Sequence, residues 1–418
     1  MPTDEFQLSQ FKTDFCCAGN FWLPLTDNGA IIPEYKKRVD RRRLALMSLG
    51  NRLKFARESV GLTLKEVEAK SGLGVSSISD WENEGREPSL SQLTTLSKVY
   101  RRSSSFFLEE GELASDVVLW RQKPAERAED IERQLIQLAE HYHHLEACCG
   151  DPRPANLTLV DIPQGPTDYV YAEKLAHDFR KKYDLGERPG NVLLRVLEEI
   201  CHVKVFHLPF EPTGTAACSQ SERFGAAVLL NSNNVHWRRN FDLAHELFHL
   251  LTWNVFRVGD NQRTPTEQEE KLANAFAGRL LMPPDVLRMA VADQRRGKQQ
   301  LDFDDLFEIA RQFDVSVQAL LVQMANTNLM AKDRLQPTLK ALKPKIDFWD
   351  RPCGEAPRSR PLRFEALARE AIEKGLISTG KFAEYMGLTR VQAMKVIASE
   401  IWTRPEQEAD AQVQVIDS

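Results

Sequence analysis

The sequence lacks the long apolar runs of a membrane protein and the cysteine spacing of a disulfide or zinc-ribbon framework. No apolar stretch approaches the roughly eighteen residues that a membrane helix needs, so we expect no membrane partner. Its seven cysteines are scattered singles and adjacent pairs without a CxxC motif. Polar and acidic residues interrupt the first twenty positions, unlike a secretory leader. These features predict a cytoplasmic protein with reduced thiols.

Neither sign of charge dominates the chain. The 418 residues include 55 Lys and Arg against 60 Asp and Glu, which gives a formal net charge of −5. This balance does not by itself indicate a partner. The hydrophobic share of 42% is that of a globular protein, and the length predicts two or three domains.

The most informative motif is His-Glu-Leu-Phe-His at residues 245–249. Residues four apart lie on one face of an α-helix, so His245 and His249 can bind one Zn²⁺ through their imidazole nitrogens. Glu246 is offset around the helix and can accept a proton from a water molecule that the metal activates. Apolar neighbours predict a buried helix, where two histidines and a carboxylate need partners. The alternative is a buried helix with two incidental histidines.

Two histidines leave a zinc site incomplete, which predicts a third protein ligand downstream. Glu270 is the best candidate and Glu269, one position away, is the fallback. Only one of two adjacent helical residues can point at the ion, so Glu269 is expected to tolerate alanine. Four residues are unranked candidates for stabilising an oxyanion: His236, Arg238, Arg239 and Tyr183.

Residues 50–109 carry a compact helical pattern. Apolar residues at helical spacing predict four short helices, of which Thr63 caps the second and the third runs from Val75 to Glu82. The string Ile-Ser-x-Trp-Glu-x-x-x-Arg-x-Pro-Ser that begins at Ile78 resembles the lambda-repressor-like (XRE) helix-turn-helix family. The resemblance implies that the third helix lies in the major groove of DNA.

The third helix has few side chains suited to reading bases. Its exposed positions are Val75, Ser76, Ser77, Ser79 and Asp80, without an arginine for bidentate contact to guanine. Phosphate contacts are instead expected from Arg86 and from a basic arm, which consists of Lys36, Lys37, Arg38, Arg41, Arg42 and Arg43. The alternative is a helical bundle retained for homodimer formation or for docking a partner.

Residues 166–335 predict an α+β catalytic domain. Two helices at 171–183 and 192–200 precede short apolar strands at 203–208 and 224–230, and the zinc helix follows. The second strand could offer an edge to an extended peptide by strand addition.

Two motifs together resemble the ImmA/IrrE metallopeptidase family over residues 166–330. They are Phe-Asp-Leu-Ala-His-Glu-Leu-Phe-His and, at 270–283, Glu-x-x-Ala-Asn-x-Phe-Ala-x-x-Leu-Leu-Met-Pro. The resemblance implies Zn²⁺ held by His245, His249 and Glu270, Glu246 as general base, and a DNA-binding repressor as protein substrate. Phe248 stands where many members have glycine, and its ring would narrow the pocket.

The fold class expected from these patterns is mainly α with a small β-sheet. The predicted parts are an extension at 1–45, a helix-turn-helix domain at 46–112, a helical connector at 113–165, the metallopeptidase domain at 166–335, and a linker, helical region and disordered tail at 336–418. The linker is expected over residues 336–362, which are rich in Pro, Lys and Arg. Residues 303–329 and 364–396 each resemble a helix-turn-helix unit, with simple packing onto the protease as the alternative. His144 and Cys148 are four apart, but a solvated helix end explains them better than a metal site.

The sequence is compatible with two functions. The first is a zinc endopeptidase that cleaves a repressor in a stress-response, defence or mobile-element system. The second is a DNA-binding transcription regulator or antitoxin-like protein whose zinc site is structural or latent. Glu246 favours the first, because a structural site has no need of a general base.

Overall fold

The computed structural model describes residues 15–18, 21–24, 48–100, 102, 104–108, 117–161, 165–210, 214–257, 264–351 and 356–399. The chain divides into two compact units, Met1–Ser115 and Asp116–Ser418. The basic arm, including Lys36, Lys37 and Arg38, and the tail at 400–418 lie outside the described residues. Within the described ranges, no helix combines the length and the apolar character needed to span a membrane.

The first unit contains the four helices that the sequence predicts. Its elements are β1 (Phe15–Ala18), β2 (Phe21–Pro24), α1 (Leu49–Ser59), α2 (Leu64–Ser71), α3 (Val75–Glu82), α4 (Leu90–Tyr100) and α5 (Ser104–Leu108). Thr63 caps α2 as predicted, in a capping box with Glu66. Gly72 ends α2 in the left-handed conformation, with φ of 72°.

Helix α1 packs closely against the end of α3. A Cβ on Gly50 would lie 2.6 Å from the carbonyl oxygen of Trp81, so only glycine permits this approach. Arg57 of α1 donates to both carboxylate oxygens of Glu82, at 2.7 and 2.8 Å. This bidentate ion pair holds the end of α3 against α1.

The second unit is built on a four-stranded sheet in the order β3-β5-β6-β4. Its strands are β3 (Val118–Trp120), β4 (Lys204–Leu208), β5 (Ala216–Ser221) and β6 (Gly225–Asn231). The two predicted strands are confirmed as β4 and β6, which pair in parallel. The prediction that the second one offers an edge is wrong, because β6 also pairs with β5 and is therefore a central strand.

Thirteen α-helices of the described part complete the second unit. They are α6 (Ala128–Cys149), α7 (Tyr169–Lys182), α8 (Leu193–Glu199), α9 (His236–Leu251), α10 (Trp253–Phe256), α11 (Glu267–Leu281), α12 (Pro284–Arg295), α13 (Phe303–Phe313), α14 (Val317–Asn326), α15 (Lys332–Trp349), α16 (Leu362–Glu373), α17 (Thr379–Met386) and α18 (Arg390–Ala398). The expectation of a mainly α chain with a small sheet is confirmed.

The two faces of the sheet support different groups of helices. Alternate strand residues such as Val228 and Leu230 join a core with α7–α9 and α11–α15. The intervening residues, such as Ala227 and Leu229, face a second core made with α6 and α16–α18. The sheet therefore carries the predicted zinc helix, α9, on one face and the C-terminal helices on the other.

A linker is expected over 336–362, but α15 occupies the first half of that range, to Trp349. Pro337 and Pro344 suggested irregular structure, yet both lie on the exposed side of the helix. The opposite side carries Leu335, Leu339, Leu342 and Ile346, which pack against the core at helical spacing. Helix α6, in the range predicted as a connector, likewise buries one face against the sheet.

Candidate metal centre and helix-turn-helix face

Helices α9 and α11 bring two imidazoles and one carboxylate together. His245 and His249 are buried, with 0% and 1% of their surface exposed, and their Nε2 atoms lie 3.2 Å apart. The carboxylate of Glu270 faces both, with Oε2 at 3.2 Å from His245 Nε2 and Oε1 at 3.3 Å from His249 Nε2. Among the described residues this is the one group of three side chains placed to hold a metal ion.

The spacing of these atoms fits a tetrahedral metal. Zn²⁺ bound at about 2.0–2.2 Å by nitrogen and oxygen holds its ligand atoms about 3.3 Å apart. The distance of 3.2 Å between the two Nε2 atoms matches that value, and each imidazole nitrogen has one oxygen of Glu270 nearby, at 3.2 or 3.3 Å. Two imidazole nitrogens and a carboxylate are also a donor set that zinc favours.

The second nitrogen of each imidazole has its own partner. His245 Nδ1 lies 3.2 Å from Asn274 Oδ1, and His249 Nδ1 lies 2.8 Å from Glu269 Oε1. Glu269 is 1% exposed and also accepts a hydrogen bond from Arg257. These contacts orient the rings so that both Nε2 atoms point at Glu270. The expectation that Glu269 tolerates alanine is therefore revised: it does not replace Glu270, but it positions His249.

We expect Glu269→Ala to weaken zinc binding by roughly 10–100-fold, the usual effect of losing a partner that orients a ligand. Competition titration against a chromogenic chelator measures this. Glu267→Ala is the matched control, because Glu267 lies on the same helix in an exposed pair with Lys271. Equal zinc affinity in the two variants would show that the contact from Glu269 to His249 is dispensable.

Glu246 is fully buried beside this centre. Neither of its carboxylate oxygens meets a nitrogen or oxygen donor within the described residues, while the thiol of Cys218 and the ring of His249 are its polar neighbours. Burial raises the pKa of Glu246 to about 7. A carboxylate of that basicity can both accept and return a proton near neutral pH.

The two histidines of the centre differ in their protonation near neutral pH. Burial lowers the pKa of His245 to about 3, so this ring is neutral and ready to act as a ligand. For His249, burial is outweighed by hydrogen bonds to Glu269 and Glu270, which raise its pKa to about 9. A metal must displace that proton, so metal affinity falls as the pH is lowered.

An open cleft of about 780 Å³ begins beside Asn274 and runs along the outer face of α11 towards α14 and α15. Arg121 lines it and pairs with the buried Asp242, one turn before His245 on α9. Arg238, one of the four oxyanion candidates, also lines the cleft. The other three are engaged elsewhere: His236 with Asp314, Arg239 with carbonyl groups after β6, and Tyr183 with the carbonyl of Asn156.

His144 and Cys148 do not build a metal site in the described structure. The Cys148 sulfur lies 3.5 Å from the His144 ring, and the hydroxyl of Tyr385 lies 2.8 Å from His144 Nδ1. No third ligand of the described chain joins them. The pair belongs to the packing of α6 against α17.

The first unit presents α3 as an exposed ridge. Ser76 and Asp80 are exposed, Val75, Ser77 and Ser79 are half-buried, and Ile78 and Trp81 face the core. Arg86 is exposed but folds back onto this ridge, where it donates to Ser77 at 2.6 Å and lies 3.6 Å from Asp80. Arg86 therefore offsets the negative charge of Asp80.

Sequence reasoning missed several residues around the centre. Asn274 was within reach, because it follows Glu270 by one helical turn in the motif that marked the third ligand. Arg257 and Asp242 had only their charge and position near the histidines to indicate them. Arg121 lies more than one hundred residues before His245, directly after β3, a strand that the sequence pattern did not predict.

Comparison with known proteins identifies two domains in this chain. Residues 198–324 match the family described as IrrE N-terminal-like domain (Peptidase_M78), and residues 53–107 match the family described as Helix-turn-helix (HTH_3). The chain is also 38% identical over 68 residues to the HTH-type transcriptional regulator ImmR of Bacillus subtilis (strain 168). That stretch covers 16% of this chain and 54% of the relative, so the chain spans about half of that protein. The expected combination of an XRE-like helix-turn-helix with an ImmA/IrrE-like domain is confirmed.

Proposed function

We propose that this chain is a zinc-dependent endopeptidase that cleaves a DNA-binding repressor and so relieves repression. The observation that carries the proposal is the convergence of His245, His249 and Glu270 beside the buried carboxylate of Glu246, which meets no nitrogen or oxygen donor among the described residues. A structural zinc site is normally closed by four protein ligands, whereas three ligands leave a position for reaction.

The proposed chemistry divides among the residues of α9 and α11. His245, His249 and Glu270 would hold Zn²⁺, which supplies Lewis acidity when bound. Glu246 accepts the proton of the attacking water and delivers it to the leaving nitrogen of the peptide. Asn274 and Glu269 keep the two imidazoles in their liganding orientation.

The cleft gives a route for an extended substrate. Asn274, which contacts His245, lines the cleft, and β3, an edge strand of the described sheet, ends next to Arg121 on its wall. An extended peptide could therefore add to β3, rather than to the central β6. Arg238 is the cation of the cleft that we assign to carbonyl or carboxylate contacts, while Arg121 pairs with Asp242.

The substrate class rests on the helix-turn-helix domain of this chain and on its resemblance to repressor-cleaving peptidases. Co-expression with a candidate helix-turn-helix repressor, followed by mass spectrometry of its fragments, tests the assignment. We expect one dominant cut in the repressor. An intact repressor, under conditions where the chain cleaves an unrelated protein at a defined bond, would contradict the assignment.

The match to a helix-turn-helix family supports a second candidate, a DNA-binding regulator whose zinc site is latent. The relative in Bacillus subtilis is named a transcriptional regulator, which favours the same role for the first unit. The two candidates differ in whether Glu246 is needed for any activity. The regulator would retain its function without that carboxylate.

We predict that DNA binding through residues 50–109 depends mainly on phosphate contacts, made by the basic arm and Arg86. The test replaces all six residues of the basic arm by alanine: Lys36, Lys37, Arg38, Arg41, Arg42 and Arg43. Binding to all duplexes should weaken alike, and its dependence on salt concentration should become less steep. The reason is that each phosphate that loses its cationic partner keeps about one bound counterion. Titrations at several salt concentrations with specific and scrambled duplexes measure this. Strong sequence preference that survives loss of the arm would mean that α3 reads bases directly.

A further inference from the structure

The last described helices repeat the layout of the first helix-turn-helix. Gly72 ends α2 with φ of 72°, and Gly387 ends α17 with φ of 68°. The next helix starts three residues later in both places, at Val75 and at Arg390. The helices before the two turns, α2 and α17, are both eight residues long. The turn between α17 and α18 thus has the same length and the same left-handed glycine as the turn between α2 and α3.

The caps and the buried positions repeat as well. Thr63 and Ser378 stand nine residues before the respective glycine, and each accepts a hydrogen bond from the third residue of its helix. At equal distances from the two glycines, buried side chains recur in pairs: Leu53 with Ala368, Ala56 with Ala371, Val67 with Phe382, and Ile78 with Ala393. The three helices α16–α18 therefore share the internal contacts of a helix-turn-helix.

The exposed surface of α18 differs from that of α3 in charge. Lys395 occupies the position that corresponds to Asp80, and Arg390 the position that corresponds to Val75. Residues 390–398 contain no Asp or Glu. In the described part of the second unit, neither Arg390 nor Lys395 has an acidic partner within ion-pair distance, whereas Lys374 and Lys381 are paired with glutamates.

Packing within the chain uses little of α18. Ala393 is its buried residue among those described, and Val391 and Met394 are 64% and 57% exposed. The surrounding segment 356–399 has eight Lys and Arg against four Glu, in a chain whose net charge is −5. The helix thus presents a cationic face with two apolar side chains, not a face covered by its own fold.

We propose that α17 and α18 form a second DNA-binding element, with α18 in the major groove. Arg390 has the fork geometry for guanine or for a phosphate, and Lys395 contacts phosphate. Val391 and Met394 can pack against thymine methyl groups. The proposal is independent of peptidase activity, and it gives the chain one DNA-binding element in each unit.

The test is a binding titration of the full chain carrying Arg390→Ala and Lys395→Ala, with a fluorescently labelled duplex. The matched control carries Arg334→Ala and Lys340→Ala, an exposed Arg and Lys on α15 that have no acidic partner within ion-pair distance among the described residues. Both are built on a background in which the six residues of the basic arm are replaced by alanine and Ser76 by aspartate, which weakens phosphate contacts by the first unit. The exchanged side chains on α3, α15 and α18 are exposed, and circular dichroism checks that each variant is folded.

We expect the α18 variant to bind at least about tenfold more weakly than the control and to lose about two units of salt slope. Photo-crosslinking of the unmutated chain to a duplex with a thymine analogue should attach DNA to the peptide that contains 390–398. Equal affinity and salt slope in the two variants, or crosslinks confined to residues 48–108, would overturn the proposal. Binding of α18 to a protein instead of DNA would give that same negative result.

Discussion

Glu246→Gln is expected to retain zinc and the fold while its proteolytic rate falls by roughly 10²–10⁴-fold, the usual contribution of a general base. Glutamine is nearly isosteric with glutamate but cannot accept the proton. The buried position is also relieved of an ionisable group whose pKa burial has raised to about 7, so the exchange should not destabilise the fold. Rates on a verified repressor substrate measure the effect.

The control for this variant is Glu267→Gln, the same chemical change at an exposed position on α11. It should cleave at the wild-type rate. Zinc content measured on both proteins separates loss of the base from loss of the metal. Cleavage by Glu246→Gln at a rate close to that of the control would remove Glu246 from the mechanism.

Loss of Glu270 should damage metal binding more than loss of Glu269. Glu270→Ala leaves two imidazoles on one helix as protein ligands, so zinc affinity should fall by more than the roughly 10–100-fold expected for Glu269→Ala. The predicted order of zinc affinity is wild type, then Glu269→Ala, then Glu270→Ala. Equilibrium competition with a chelator gives all three values under one set of conditions.

A double variant, His245→Ala with His249→Ala, completes the series. It should bind no zinc at this centre. Full zinc occupancy in that variant would place the metal elsewhere in the chain. If Glu269→Ala lost more zinc than Glu270→Ala, the two glutamates would have to exchange roles.

The sequence was sufficient for residues that are local to one helix. The spacing of His245 and His249 places both on one face of a helix, independently of the rest of the fold. Glu270 lies in a helix that carries its own recognisable sequence motif. Thr63 and Val75–Glu82 were predictable for the same reason, because caps and helical periodicity act within a few residues. These are the parts of the site that the structure arranges as expected.

Features that depend on long-range packing were not predictable. Strand β5 consists of small and polar residues, Ala216–Ser221, and gives no β-branched signal. Without β5, nothing indicates that β6 is central and that β3 is an edge. Arg121 was not predicted for the same reason, because its contact with Asp242 depends on the pairing of β3 with β5.

The linker predicted over 336–362 was wrong for a different reason, the presence of prolines in α15. Pro337 and Pro344 favour a loop when taken alone, yet the apolar residues from Leu335 to Ile346 keep helical spacing through them. Burial of that face against the core outweighs the local cost of the prolines. The role of Glu269 was missed because adjacent helical residues were treated as alternatives, although one can bind the metal while the other orients a ligand.

The most direct test of the proposed function is cleavage of a purified repressor by the purified chain, with and without zinc, read by mass spectrometry of the intact fragments. We predict one pair of complementary fragments with the zinc-loaded chain, their disappearance after chelation, and their return when zinc is restored. Glu246→Gln with bound zinc should yield no fragments over the same time. The same fragments from the chelated chain and from zinc-loaded Glu246→Gln would contradict a zinc peptidase that uses Glu246 as its base.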